Sequence, residues 1–323
     1  MKHIFSSFPV ADIARRYGLT YFDIGSRDGF QGDLHPIAFA VDVVGFEPDP
    51  EEFERLQSLP SEPWKSLTNL PFGVSDQSGL QTLYIPTDPQ SASLLKHNAK
   101  IGRKFDKTQF FEIDRTEEIE TLCLKDAVEK TIFRSIDYLK IDIEGAELAV
   151  FMSSPTVMKD VLAIKAEISF IPFRNNQPLA SDVDIHLTQA GFELMDITGP
   201  AHWRRHGYLI HPFYSAENPP YSKAQIVQAD FLYFRDPDSL GGNIAKILKL
   251  SLIALSFGYF DHALMILERP EIAEFLATEF GKTPIEIVAP PSRAYGRKAF
   301  LHAFYRQGRN MVPFVRYIRN LLH

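Results

Sequence analysis

Short apolar runs alternate with helical patterns along most of the chain, and many of these runs stop at a glycine or an acid. Residues 20–24 form one such run and end at Gly25. Residues 41–46 form a second, stopped by Glu47-Pro48-Asp49-Pro50, with a helix expected over 51–56. A third strand is expected over 70–74, ending at Ser75-Asp76. Residues 80–85 read as an added hairpin arm with Gln77-Ser78-Gly79 as its turn. Residues 136–141 give a fourth strand ending at Asp142, and a helix begins at Glu147. A fifth strand spans 161–169, a helix spans 183–190, and strands follow over 192–197 and 229–234. Strands alternating with helices predict an α/β fold with a doubly wound, mostly parallel sheet.

The texture changes at Asp236-Pro237-Asp238-Ser239-Leu240-Gly241-Gly242, after which nearly everything reads helical. Helices are expected over 244–257, 262–268, 271–280, 294–305 and 312–322. The boundary divides the chain into an α/β domain, 1–238, and a C-terminal all-α extension, 239–323.

Composition narrows the class. Apolar residues are 45% and charged residues 23%, which excludes a disordered chain and a polytopic membrane protein. Net charge is −7, so the chain lacks the basic footprint of a general nucleic-acid binder. The charge is uneven. Residues 289–323 hold seven Lys or Arg and no acid, which leaves −14 for the rest. A single cysteine, Cys123, cannot make an intrachain disulfide or a cysteine-rich zinc site. The start lacks an unbroken apolar segment, and the apolar stretch 247–260 is interrupted by Lys249. A soluble, cytoplasmic protein is expected.

Ligands of such sheets sit at the carboxyl ends of the strands. The first strand ends in Asp23-Ile24-Gly25-Ser26-Arg27-Asp28-Gly29, which is not the G-x-G-x-x-G of a dinucleotide site. Glu47 follows Asp23 by 24 residues, close to the ~20 of one strand–helix–strand unit, and an acid there can accept both ribose hydroxyls. Asp76 is placed to accept an adenine amine. Three acids at successive strand ends describe a site for a nucleoside that brings no negative charge, and S-adenosylmethionine is such a ligand. On the fourth strand, Lys140 and Asp142 alternate with Leu139 and Ile141, so both charges face one side of the sheet. Glu144 and Glu147 flank the turn that follows, where negative charge suits a helix N-terminus.

Asp23-Ile24-Gly25-Ser26 with Gly29, Gly45-Phe46-Glu47-Pro48-Asp49-Pro50, Val74-Ser75-Asp76, Ser93-Leu94-Leu95 and Leu139-Lys140-Ile141-Asp142-Ile143-Glu144-Gly145-Ala146-Glu147 together resemble the FkbM family of S-adenosylmethionine-dependent methyltransferases. The resemblance covers about residues 20–235. It implies a class I methyltransferase (Rossmann-like) sheet and O-methylation of a sugar, glycan or secondary-metabolite hydroxyl. It also implies that Asp23, Gly25 and Ser26 hold the methionine part, Glu47 the ribose and Asp76 the adenine, with Asp142 beside the methyl. Asp28, Gly29, Pro48 and Ser75 complete the candidate cofactor set. Two departures stand out. Arg27 replaces the usual asparagine, and Gly32 and Pro36 predict a short or irregular first crossover helix.

An alcohol acceptor must lose a proton to a side chain or a metal-bound base. Asp142, Glu144 and Glu167 are the carboxylate candidates. Lys140 qualifies as a base only if burial depresses its pKa. Asp142 with Glu144 could instead hold a divalent cation through oxygen ligands. Two other readings remain open: a nucleotide-dependent sugar oxidoreductase, and a non-catalytic interaction protein working through the helical tail. Asn218-Pro219-Pro220-Tyr221 copies an amino-methyltransferase signature but reads as a turn, and His202, His206 and His211 read as loop histidines. Residues 91–98 either close over the cofactor or start a helix capped by Ser91 or Ser93. Residues 314–322 are basic and amphipathic, fit to pack on their own domain or to lie on an anionic membrane. Oligomeric state is left open.

Overall fold

The computed structural model describes residues 3–27, 29–207 and 223–321, and the side chains of His302 and of residues 306–321 lie outside that description. Asp28, His211 and the Asn218-Pro219-Pro220-Tyr221 turn therefore fall outside the described residues. In chain order the strands are β1 Leu19–Ile24, β2 Val41–Phe46, β3 Ser66–Leu70, β4 Gly73–Val74, β5 Gly79–Pro86, β6 Ile113–Leu122, β7 Tyr138–Ile141, β8 Ala163–Ser169, β9 Phe192–Trp203 and β10 Gln225–Arg235. The α-helices are α1 Val10–Tyr17, α2 Pro50–Gln57, α3 Ala99–Phe105, α4 Leu124–Glu129, α5 Glu147–Ser153, α6 Pro155–Met158, α7 Ala180–Gln189, α8 Ile244–Phe257, α9 Phe260–Leu267, α10 Pro270–Phe280 and α11 Pro284–Leu321.

Seven strands form one sheet in the order β3-β2-β1-β7-β8-β10-β9. Pairs from β3 to β8 are parallel, and β10 runs antiparallel to both β8 and β9. The central strands are buried on both faces and read as nearly continuous apolar runs, the expected signature of covered parallel strands. Order reverses between β1 and β7, so the crevice above their carboxyl ends is the topological switch point. Register aligns the three tips that matter: Ile24 lies beside Phe46 on one side and Ile141 on the other. Gly25, Glu47 and Asp142 therefore leave the sheet at one level.

Local chemistry explains the element ends. Asp49 caps α2, its Oδ1 accepting from the backbone N–H of Glu51 and Glu52 at 3.0 and 3.1 Å, with Pro50 opening the helix. The first crossover is a kinked 3-10 segment, Gly32–Ala40, with Pro36 inside it, as the glycine and proline content predicts.

Several expected elements differ from the structure. The strand expected over 70–74 is two strands, β3 in the main sheet and β4 in a second, three-stranded sheet ordered β4-β6-β5. Pro71 lacks the N–H to continue the ladder and separates them. Ser75 and Asp76 thus follow a strand of the small sheet. Residues 79–86 pair antiparallel with β6 rather than with β4, so the arm is not closed by the Gln77-Ser78-Gly79 turn. β6 carries so many charges that its pattern hides a strand. Residues 91–98 form no α-helix, and α3 starts after Asn98, whose side chain accepts from the Lys100 N–H at 3.2 Å. The helices expected over 294–305 and 312–322 are one helix, α11, which begins already at Pro284.

Two apolar cores cover the two faces of the sheet. One joins α1 and the faces of β1, β2 and β7 to α8, α9 and α10. α8 is buried nearly all round, as an apolar helix inside a core should be. The lysine that interrupts it has a partner: Lys249 Nζ donates to Asp137 Oδ2 at 2.8 Å. Asp137 is buried at the entry to β7 and also accepts from the Thr20 N–H at 2.8 Å. Removing the ammonium leaves a buried carboxylate without its countercharge. Lys249→Met is expected to lower stability by about 3 kcal/mol in urea unfolding, and an Asp137→Asn/Lys249→Met double variant is expected to recover most of that loss.

Candidate active site

Gly25 brings the β1 and β7 loops into contact. Its φ is +79°, and a Cβ built there would stand 2.0 Å from the carbonyl oxygen of Asp142. Only glycine fits, so this position is set by both conformation and space. The Asp142 N–H donates to Ile24 O at 3.0 Å, which fixes the same junction from the other side. Lys140 lies beneath it. Its Nζ donates to Gly25 O at 3.0 Å and stands 3.2 Å from Asp23 Oδ1 and 3.7 Å from Asp142 Oδ2. Asp23 is fully buried and accepts from the Tyr21 hydroxyl at 2.6 Å. Ser26 is also fully buried, donating to Asp23 O at 2.7 Å and accepting from the Phe46 N–H at 3.0 Å.

Above this tie lies a cavity of about 400 Å³, within the usual range for a ligand site. Gly25, Glu47, Pro48, Asp142, Glu144 and Glu167 of the expected set line it. Asp23, Ser26 and Lys140 support it from below without lining it. Gly29 has a φ of +99°, with open space where a Cβ would stand. Ser75 is buried and bonded to Asp76 Oδ1 at 2.8 Å, whereas Asp76 is exposed; neither lines the cavity.

The cavity is acidic. Five carboxylates line it (those of Glu47, Asp49, Asp142, Glu144 and Glu167), against the guanidinium groups of Arg27 and Arg174. Both arginines are engaged, Arg27 with Asp49 at 3.4 Å and Arg174 with Glu144 at 3.0 Å. Burial pushes the Glu47 carboxyl up to about 7, against the opposing pull of the Asp49 N–H and Arg27. For Lys140 burial acts downward, but Asp23 and Asp142 outweigh it and hold the ammonium above its ordinary value. The depressed pKa that a base would need is absent, so Lys140 is a charged strut.

The β7 tip turns sharply through Glu144 and Gly145, with φ values of +61° and +110°. The left-handed region costs a non-glycine residue about 1 kcal/mol. Four contacts hold it. Glu147 Oε1 accepts from the N–H groups of Ile143 and Gly145 at 3.1 and 3.0 Å. The Ser93 hydroxyl donates to Glu144 O at 3.0 Å. Arg174, 2% exposed, grips the Glu144 carboxylate and also donates to Ser91 O at 2.8 Å. Gln177 packs against Gly145, where a Cβ would meet its Nε2 at 2.7 Å.

This turn assembles three carboxylates. One oxygen each from Asp142, Glu144 and Glu167 lies within 4.8 Å of the others. Burial raises the Glu144 carboxyl to about 7, with Arg174 opposing and Asp142 reinforcing the rise. Glu167 is raised well above the ordinary range by burial and by the charges of Asp142 and Glu144, and it accepts from Gln228 Nε2 at 2.7 Å. Asp142, Glu144 and Glu167 are also the residues that could hold a divalent cation through oxygen.

Beyond the trio the cavity wall is aromatic. Trp203 lies 4.9 Å from Phe173 between ring centroids, and Phe110 stacks on Trp203 at 6.2 Å. The wall exists because β9 runs to Trp203, six residues past its expected end. Ser91, Ser93, Arg174, Trp203 and Gln228 thus join the expected set. For Arg174 the available signal was a lone arginine soon after the fifth strand; nothing in the alternation of β9 marked Trp203. His202 Nδ1 donates to Pro200 O at 3.2 Å, and exposed His206 lies 3.3 Å from Asp106.

The strand order and the cavity at the switch point are those of a class I methyltransferase (Rossmann-like) domain. The methyltransferase FkbM domain profile matches residues 23–194, more than half of the chain. The chain belongs to the FkbM methyltransferase family. The matched span starts at Asp23 and takes in Glu47, the carboxylate turn, Glu167 and Arg174; it stops before Trp203, Gln228 and the C-terminal helices. No curated protein matches the chain significantly. Among solved structures, that of a proposed RNA methyltransferase from Pyrococcus horikoshii aligns over 70% of this chain and 79% of its own, at 9% identity and a TM-score of 0.28.

Glu147 offers a direct check on the electrostatics. Burial raises its carboxyl to about 7, against three backbone hydrogen bonds. A raised folded pKa stabilises the protein below the ordinary value near 4.5, and that contribution fades as pH climbs through about 7. Glu147→Gln has no proton to lose. Its unfolding free energy relative to wild type, from urea unfolding, is expected to improve between about pH 5 and pH 8 by up to about 3 kcal/mol. A constant difference across that window contradicts the raised pKa.

Proposed function

We propose that this methyltransferase moves the methyl group of S-adenosylmethionine onto a hydroxyl of a sugar or glycan. One observation carries the reading: a carboxylate trio and an aromatic wall share a single cavity with Glu47. The cavity fits the donor. Its carboxylates suit a ligand with an ammonium and a sulfonium, and Gly25, Glu47 and Asp142 line it side by side. When bound, the donor supplies a methyl group already activated by the positive sulfur.

This chain's residues then have distinct tasks. Glu47 would accept the ribose hydroxyls at the β2 end of the cavity. Gly25, with Asp23 and Ser26 beneath it, would hold the methionine part. Asp76 would reach the adenine from outside the present lining. Asp142, at the tip of β7, would stand nearest the methyl. The Asp142–Glu144–Glu167 trio would take the proton from the acceptor hydroxyl, and positioning would do much of the rest. The parts of Trp203 and Phe110 that line the cavity would meet the apolar side of a sugar, while the carboxylates bond its hydroxyls. The same three carboxylates, with oxygens within 4.8 Å of one another, would be the ones to hold a divalent cation, which would supply Lewis-acid activation of that hydroxyl.

The test is formation of S-adenosylhomocysteine with a panel of sugar acceptors. Asp142→Asn is expected to lower kcat by about 10²–10⁴-fold. Trp203→Ala is expected to raise the acceptor KM by about tenfold and leave donor affinity unchanged. Normal turnover by Asp142→Asn would remove the trio from the mechanism.

A further inference from the structure

The C-terminal helix outruns the body it starts from. Near its beginning Ile287 and Val288 are buried, and Tyr295 packs on Phe260 at 5.5 Å between ring centroids. From Gly296 to Tyr305 each described side chain is exposed. Among them are four large apolar residues: Phe300 (70% exposed), Leu301 (66%), Phe304 (74%) and Tyr305 (66%). Large apolar side chains at such exposure, grouped within two turns, mark a contact surface. Helical periodicity puts Phe300 and Phe304 on one face. Lys298 falls on the opposite face by the same periodicity, and Arg306, Arg309, Arg316 and Arg319 follow in the sequence.

We infer that this helix, from about Arg297 onward, docks the protein on an anionic phospholipid surface. Charge selects the occupant. The segment from residue 289 carries seven basic residues and no acid, although the rest of the chain is strongly acidic. Pairing two copies of the helix along the apolar face would set one +7 segment against another and offers no acid for an interhelical bridge. An anionic lipid surface attracts each lysine and arginine, and its interface receives the aromatic face. No helix among the described residues is long and apolar enough to cross a membrane, so the helix lies along the surface.

The experiment is flotation of the full chain with vesicles of phosphatidylcholine alone or of phosphatidylcholine with phosphatidylglycerol. Binding is expected only to the anionic vesicles and is expected to weaken as salt rises. Arg297→Glu/Lys298→Glu is expected to lower partitioning by at least about thirtyfold. Phe300→Ser/Phe304→Ser is also expected to release the protein, with the melting temperature of both variants unchanged. Failure of the folded wild type to float with anionic vesicles overturns the inference, as does flotation of both variants at the wild-type level. A lipid-free dimer that Phe300→Ser/Phe304→Ser dissolves, without vesicle binding, would assign the face to a second copy instead. None of these readouts depends on methyl transfer.

Discussion

One buried ammonium holds the site together. Lys140 is 6% exposed, and the ends of two strands gather around it through Gly25 O, Asp23 and Asp142. A charge so placed is costly unless its partners are close and correctly aimed. Here the partners are the groups that shape the cavity floor. The carbonyl of Gly25 and the carboxylate of Asp142 come from different loops, and the absence of a side chain at Gly25 lets those loops touch. Register among β2, β1 and β7 then delivers Glu47 at the same level. The Glu47 end and the carboxylate-trio end of the cavity therefore share one base.

The strain at the β7 tip belongs to the same arrangement. Glu144 takes a left-handed backbone, and Glu147, Ser93, Arg174 and Gln177 enforce it from three separate segments. Strain held by so many contacts points to function, because it brings Glu144 toward Asp142 and Glu167. Burial, reinforced by the neighbouring carboxylates, raises the Glu144 and Glu167 carboxyls above their ordinary range. Arg174 supplies a compensating charge through its pair with Glu144.

Much of this was legible from residues alone, and the reasons are physical. Strands buried on both faces leave continuous apolar runs, so β1, β2, β7 and β8 could be located with their terminal acids. The irregular first crossover followed from Gly32 and Pro36. Legibility failed where tertiary structure overrode local pattern. Pro71 split one apparent strand into two belonging to different sheets. β6 is so charged that it resembles a solvated segment. Arg174 and Trp203 reach the cavity through loop and strand extensions that no periodicity announces. The C-terminal helix reads as two because Gly308 and Pro313 interrupt its pattern, yet its backbone continues through both.

We propose that the acidic switch-point cavity, with Glu47 at its β2 end, binds S-adenosylmethionine. Calorimetric titration of the purified chain and of Glu47→Gln with S-adenosylmethionine tests it most directly. The account predicts one site per chain for the wild type, and a loss of at least about tenfold in affinity for the variant, since removing a hydrogen bond to a charged group costs about 1.5–3 kcal/mol. Equal affinities would move the ribose away from Glu47, and no binding by the folded wild type would contradict the account.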